Sequence, residues 1–247
     1  LEDKPAGEVK INVTLEYNES RILTITAEDP DTGLKKAVSI KKGEARKAPV
    51  KRKSVPMDIM LLIDKSRSMH DASSPENLLE TKLDAAKSAA TKLIKEMIDL
   101  SVNRMGILSF GTTCNIDCPL SSSKDALIKS FAHIEPFGWT NLQEALTMLP
   151  SKVFNYPENG RERWVIIITD GHPDAPDGSV KAAADLKKAG IKIITIGVGM
   201  DEKGLRTNKH MASKRSSGEE YCFNISNMSQ LTGVFKEIIG ELQPARS

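Results

Sequence analysis

The sequence predicts an α/β fold: a doubly wound, mostly parallel sheet flanked by helices, preceded by a small antiparallel β segment. Three observations predict it. Two apolar runs of strand length, 59–63 and 164–169, end abruptly in short oxygen-bearing side chains, as central parallel strands buried on both faces do. From residue 57 onward such runs alternate with helical patterns, the sequence form of β-α-β units. Before residue 42 the pattern is different: Val9, Ile11, Val13, Leu15 and Tyr17 alternate strictly with polar residues, which marks a half-buried strand.

The elements follow in order. Asn18-Glu19-Ser20 reads as a turn and 21–27 as a second strand. Asp29-Pro30-Asp31-Thr32-Gly33 is a turn signal, and 34–40 a third strand. Residues 42–56 form a basic linker closed by Pro49 and Pro56. The organising strand comes next, and 71–77 read as a loop. Leu79, Leu83, Ala86, Ala90, Leu93, Met97 and Leu100 step by four and three, which predicts one long amphipathic helix. Residues 105–110 and 113–120 read as strands, the latter an antiparallel edge. Ser121-Ser122-Ser123 caps a helix running to about His133. A helix follows Thr140, and after the strand at 164 comes one over about 179–188, ended by Gly190. Strands at 191–198 and 221–225 and a closing helix over Leu231–Leu242 complete the chain.

The polar strand tips carry the functional signal. Strand 59–63 runs into Asp64, Ser66 and Ser68, oxygen donors at every second position. Strand 164–169 runs into Asp170-Gly171. Between them Phe137-Gly138-Trp139-Thr140-Asn141 precedes a helix. Ligands of open α/β sheets sit beyond the carboxyl ends of such strands. An Asp-x-Ser-x-Ser tip, a Gly-x-Thr loop and a Thr-Asp-Gly strand end, in that order, resemble the metal-ion-dependent adhesion site of the von Willebrand factor A family, over roughly residues 57–243. Arg67, where the family often has Gly, is a departure that puts a bulky cation near the site. The resemblance implies a Rossmann-like fold and a metal site of Asp64, Ser66, Ser68, Thr140 and Asp170.

Hard cations take oxygen ligands, and Mg²⁺ usually keeps several waters. The hydroxyls of Ser66, Ser68 and Thr140 can bind directly as neutral ligands. The resemblance implies that Asp64 and Asp170 hold bound waters behind them. A cation held mainly by neutral oxygens keeps most of its charge and favours one external anion. The expected cofactor is Mg²⁺, with Mn²⁺ or Ca²⁺ as alternatives, and the expected partner is a protein supplying an Asp or Glu carboxylate. The plain reading of each residue is a cap: a strand-end Asp or a Ser can serve only to start the next helix. His70 and His172 read as rim residues, and Trp139 as core or as an exposed partner anchor.

A second resemblance lies upstream. Ile11-Asn12-Val13-Thr14-Leu15, the run from Arg21 to Asp29 and Thr32-Gly33 resemble the last strands of the substrate-binding β-domain of seventy-kilodalton heat-shock chaperones. Glu19-Ser20-Arg21 departs from that family, which usually has a Gly at the hairpin. The expected domains are therefore 1–41, a chaperone-like β segment, 42–56, the linker, and 57–247, the A-type domain, within a chaperone-like protein.

Composition narrows the rest. Of 247 residues, 39% are hydrophobic, enough for a sizeable core, and only 4% aromatic, too few for a base- or sugar-stacking surface. Residues 41–53 carry seven Lys or Arg and one Glu, a local +6 within a net +2, so the rest carries −4. That stretch lacks aromatics and reads as a solvated linker, so no nucleic-acid partner is expected; nucleic-acid binding would show steep salt dependence. No apolar run reaches the ~18 residues of a membrane span, and no signal peptide is visible. The chain starts at Leu1, which reads as an excised piece of a longer protein. Cys114 and Cys118, four apart on a strand, would lie ~13 Å apart, too far for a disulfide. Free thiols point to a reducing, cytoplasmic compartment. The chief rival is a Mg²⁺-dependent phosphohydrolase, but Ser66 stands where an acidic pair with Asp64 would form. No Gly-x-Ser-x-Gly or P-loop is present, and a non-enzymatic interaction module is the expectation.

Overall fold

The computed structural model describes residues 11–17, 22–30, 32–41, 55–156 and 160–242. The turn at 18–20 and nearly all of the linker predicted for 42–56 lie outside the described residues. The chain divides into two compact units, residues 1–52 and 53–246.

In the first unit, β1 (Asn12–Tyr17), β2 (Ile22–Glu28) and β3 (Lys35–Lys41) form an antiparallel sheet in that order. Leu15 pairs with Ile25 and Ile25 with Val38, so these three apolar positions stand in register across the sheet. The turn after β2 forms as its residues predict. Gly33 takes φ +67°, and its N–H donates to the Asp29 carbonyl at 2.8 Å.

The second unit opens with β4 (Met57–Asp64). A short 3₁₀ turn over Arg67–His70 leads to a hairpin of β5 (Ala72–Ser74) and β6 (Asn77–Thr81), then α1 (Lys82–Lys92). There follow β7 (Arg104–Phe110), β8 (Cys114–Ser121), α2 (Lys124–Ser130), α3 (Leu142–Lys152) and β9 (Glu162–Thr169). The chain closes with α4 (Pro176–Lys188), β10 (Ile191–Val198), α5 (Glu202–Met211), β11 (Cys222–Ile225) and α6 (Leu231–Leu242). The sheet order is β11-β10-β9-β4-β7-β8, parallel except for β8. The predicted doubly wound sheet and its antiparallel edge are both present.

Alternate residues of β4 feed two cores. Ile59, Leu61 and Ile63 pack with Leu83, Ala86, Ala90, Phe235 and Ile238. Met60 and Leu62 pack with Leu142, Leu146, Leu149 and Leu186. All five β4 residues are fully buried, which explains the unbroken apolar run. Chain order places β7 on one side of β4 and β9 on the other. The crevice at this switch point opens beyond the carboxyl ends of β4 and β9, where Asp64 and Asp170 lie.

Two sequence expectations are corrected. Residues 71–77 are not a simple loop, and the helix does not begin near Leu79. Leu79 sits on β6 and is 99% exposed. Its spacing from Leu83 fits a helix by accident. The start is fixed instead by Thr81, whose hydroxyl accepts from Asp84 N–H at 3.1 Å. At the other end regular α-helix stops at Lys92 and one wider turn, Leu93–Met97, follows. Helix α5 had no counterpart in the sequence reading. Its inward face is Gly204, Asn208 and Met211, so it lacks the apolar period that reveals a helix; its one legible signal is the Asp201 cap.

Candidate metal centre

Asp64 ends β4 with no exposure. Its Oδ1 accepts from Ser66 N–H at 2.7 Å and its Oδ2 from the Thr169 hydroxyl at 2.6 Å. Burial pushes this carboxyl up to about 6, against the pull of the Thr169 and Ser66 hydrogen bonds. An ionised Asp64 therefore lacks charge compensation from its immediate neighbours, and nearby Asp170 adds to the cost.

The two serines join the two strands. Ser66 Oγ and Ser68 Oγ are 3.2 Å apart, and Ser68 Oγ donates to Asp170 Oδ1 at 2.7 Å. Ser66 precedes the 3₁₀ turn, yet its side chain makes no capping bond, so capping does not account for it. Asp170 is held from its other oxygen by Lys82 Nζ at 2.7 Å, which also lies 3.8 Å from Asp71. The Asp170 side chain is 1% exposed.

Thr140 arrives from the loop before α3. The Arg67 N–H donates to the Gly138 carbonyl at 3.0 Å, which ties that loop to the serine turn. Gly138 has φ +78°, and a Cβ there would collide with the Thr112 hydroxyl, so only glycine fits. Thr140 is 7% exposed. A Cβ on Gly171 would lie 3.3 Å from Thr140 Oγ1 and 3.9 Å from Ser68 Oγ; the bare glycine leaves that space to the hydroxyls. All five residues singled out from sequence thus converge at one end of the sheet.

Three hydroxyls and two buried carboxylates form a hard, oxygen-only donor set of the kind Mg²⁺, Mn²⁺ or Ca²⁺ takes. Among the described residues no three His, Cys, Asp or Glu cluster as metal ligands, so a cation here would depend on the hydroxyls for most of its protein donors. A cavity of about 300 Å³ opens above the donors, lined by Ser66, Arg67, Ser68, Gly138, Trp139 and Thr140. His70, at the end of the turn that carries Ser68, is exposed. His172 Nε2 lies 3.0 Å from Asp201 Oδ1, engaged away from the donor set. Trp139 is not core but 73% exposed. Lys82 is the neighbour that sequence reasoning missed, because its partner lies 88 positions away. Cys114, Cys118 and Cys222 are free thiols, and no helix among the described residues is long and apolar enough to cross a membrane.

Among curated proteins none matches the chain. Among solved structures, proximal thread matrix protein 1 from the mussel byssus is similar at 21% identity and a TM-score of 0.63, over 75% of this chain and 48% of that one. Its form with a zinc-occupied metal-ion-dependent adhesion site matches at 22% identity and a TM-score of 0.60, over 75% and 45%. The chain thus spans about half the length of that protein. BatB from Bacteroides thetaiotaomicron matches at 19% identity and a TM-score of 0.61, over 76% of this chain and all of its own. At such identities the likeness shows the fold. A family model described as von Willebrand factor type A domain matches residues 58–237. Domains of that family are metal-dependent protein-interaction modules. The chain belongs to the von Willebrand factor type A domain family.

Proposed function

We propose that residues 57–247 form a non-enzymatic, metal-dependent protein-interaction module whose metal site is Asp64, Ser66, Ser68, Thr140 and Asp170. The observation that carries this reading is the convergence of three hydroxyls on two buried carboxylates at the mouth of a cavity. A bound divalent cation, Mg²⁺ by preference and Mn²⁺ or Ca²⁺ otherwise, supplies an open position for a partner's Asp or Glu carboxylate. The chain's own residues do the positioning. Thr169 and the Ser66 N–H fix both oxygens of Asp64, while Lys82 and Ser68 fix those of Asp170. Ser68 donates its proton to Asp170, which leaves its oxygen lone pairs for a cation. Arg67 and Trp139 line the cavity above that position and would select the partner. The three free thiols support a reducing, cytoplasmic setting. Membership of a chaperone-like protein rests on residues 11–33 and their resemblance to heat-shock β-domains.

The test is recovery of protein partners with and without a chelator, beside Asp64→Ala and Thr140→Ala. Recovery should fall in all three conditions, with Asp64→Ala losing more because it removes charge as well as an oxygen. Thr140→Ala should keep the fold. Equal recovery throughout would sink the metal-bridged mechanism.

A further inference from the structure

Phe137 and Trp139 are 64% and 73% exposed, and no other Phe, Tyr or Trp whose burial is described is exposed. Their exposure does not come from a loose loop. Phe137 N–H donates to the Lys65 carbonyl at 2.6 Å, Trp139 N–H to the Thr112 hydroxyl at 3.0 Å, and the Gly138 carbonyl between them accepts from Arg67 N–H. Two aromatic side chains are thus held in water by a backbone that is hydrogen-bonded at every step. Single exposed apolar residues need no explanation. An exposed aromatic side chain on a cavity wall, with a second two residues away on the same ordered backbone, has the features of a binding anchor, because the loop is already ordered and each ring has only two χ angles to fix on contact. Trp139 lines the same 300 Å³ cavity as Ser66, Ser68 and Thr140, and Arg67, exposed on its wall, adds a cation.

We infer, resting on the carboxylate-bridged reading above, that the partner is an acidic segment in which the bridging Asp or Glu has a large apolar or aromatic neighbour that packs on Trp139 and Phe137. Charge complementarity with Arg67 selects an acidic segment, and the aromatic rim selects the neighbour. Consecutive residues of an extended segment lie about 3.3 Å apart along the chain, so one segment reaches both the donors and the rim of a single cavity.

The test uses the full chain and two short blocked peptides of equal charge, one with Asp followed by Phe, the other with Asp followed by Gly. The chain has two tryptophans, and Trp164 is 2% exposed, so an emission shift on binding reports Trp139. In Mg²⁺ the Asp-Phe peptide should bind about tenfold more tightly, the scale of one aromatic contact, and shift the emission. Trp139→Ala and Phe137→Ala should bring the two peptides within about twofold by calorimetry, with Mg²⁺ affinity unchanged. Equal Mg²⁺-dependent binding of both peptides by the unaltered chain would overturn this inference and leave the carboxylate bridge standing. Binding that survives chelator, or no binding of either peptide, would overturn both. Concentration-dependent self-association lost in Trp139→Ala would assign the aromatics to contact between copies and overturn the inference alone.

Discussion

Lys82 shows how one residue alters the electrostatics of the site. Asp64 and Asp170 are both buried, and Asp170 raises the cost of ionising Asp64. Lys82, with 23% of its side chain exposed, is the ammonium that balances Asp170. Removing one partner of a buried pair leaves an uncompensated charge, which costs about 3 kcal/mol or more. Lys82→Met should therefore lower the melting temperature in chelator. Added Mg²⁺ should then raise it by more than in the unaltered chain, since the cation takes over the lost balance. Equal gains would show that Lys82 and the cation do not act on the same carboxylates. Gly138 is a second single-residue control. Gly138→Ala would force a Cβ onto Thr112 at positive φ and displace Thr140 and Trp139 together.

Elements are tied at the other end of the sheet by Asp58. This carboxylate has no exposure, yet Arg104 grips it from β7 through two bonds of 2.8 and 2.6 Å. Arg161, just before β9, adds a bond of 2.8 Å, and Tyr156 donates its hydroxyl. Burial works against ionisation there, but the bonds from Arg104, Tyr156 and Arg161 outweigh it and hold Asp58 below the usual carboxylate range. A depressed acid contributes stability above its ordinary value of 3.8 and loses it as pH falls through its folded value. Asp58→Asn should cost about 3 kcal/mol at pH 7, and chemical unfolding curves of the two proteins should converge as pH drops below 3.8. A constant difference would show that packing, not charge, is lost. The β1–β3 sheet is weaker in kind. Val13 and Leu15 are 59% and 64% exposed, and three strands with one open apolar face are marginal alone. Residues 1–45 expressed alone should associate or stay disordered; a well-dispersed monomeric NMR spectrum would refute this.

Over the whole molecule, the proposed division at residues 42–56 predicts a protease boundary. Seven Lys or Arg fall within 41–53, with no periodic apolar face. Limited trypsin digestion should release a stable fragment beginning near Met57 that keeps the metal response. Resistance there would move the boundary.

The sequence by itself determined the α/β class, the sheet's buried strands and the oxygen-bearing residues Asp64, Ser66, Ser68 and Asp170 that follow two of them, and it singled out Thr140 in the loop between. Such strands must be continuously apolar, and donors can stand only where the apolar run stops, so 59–63 with Asp64 and 164–169 with Asp170 were legible locally. The helix at Leu79 misled because spacing alone does not say which residues a helix buries, and α5 escaped because Asn208 and Gly204 occupy its inward face. Tertiary structure alone decided what balances and frames the site. Lys82 meets Asp170 across 88 positions, Thr112 meets Trp139 across 27 and Arg104 meets Asp58 across 46. Those pairings depend on the order of strands in the sheet, which brings remote side chains together without leaving any periodic trace in the chain.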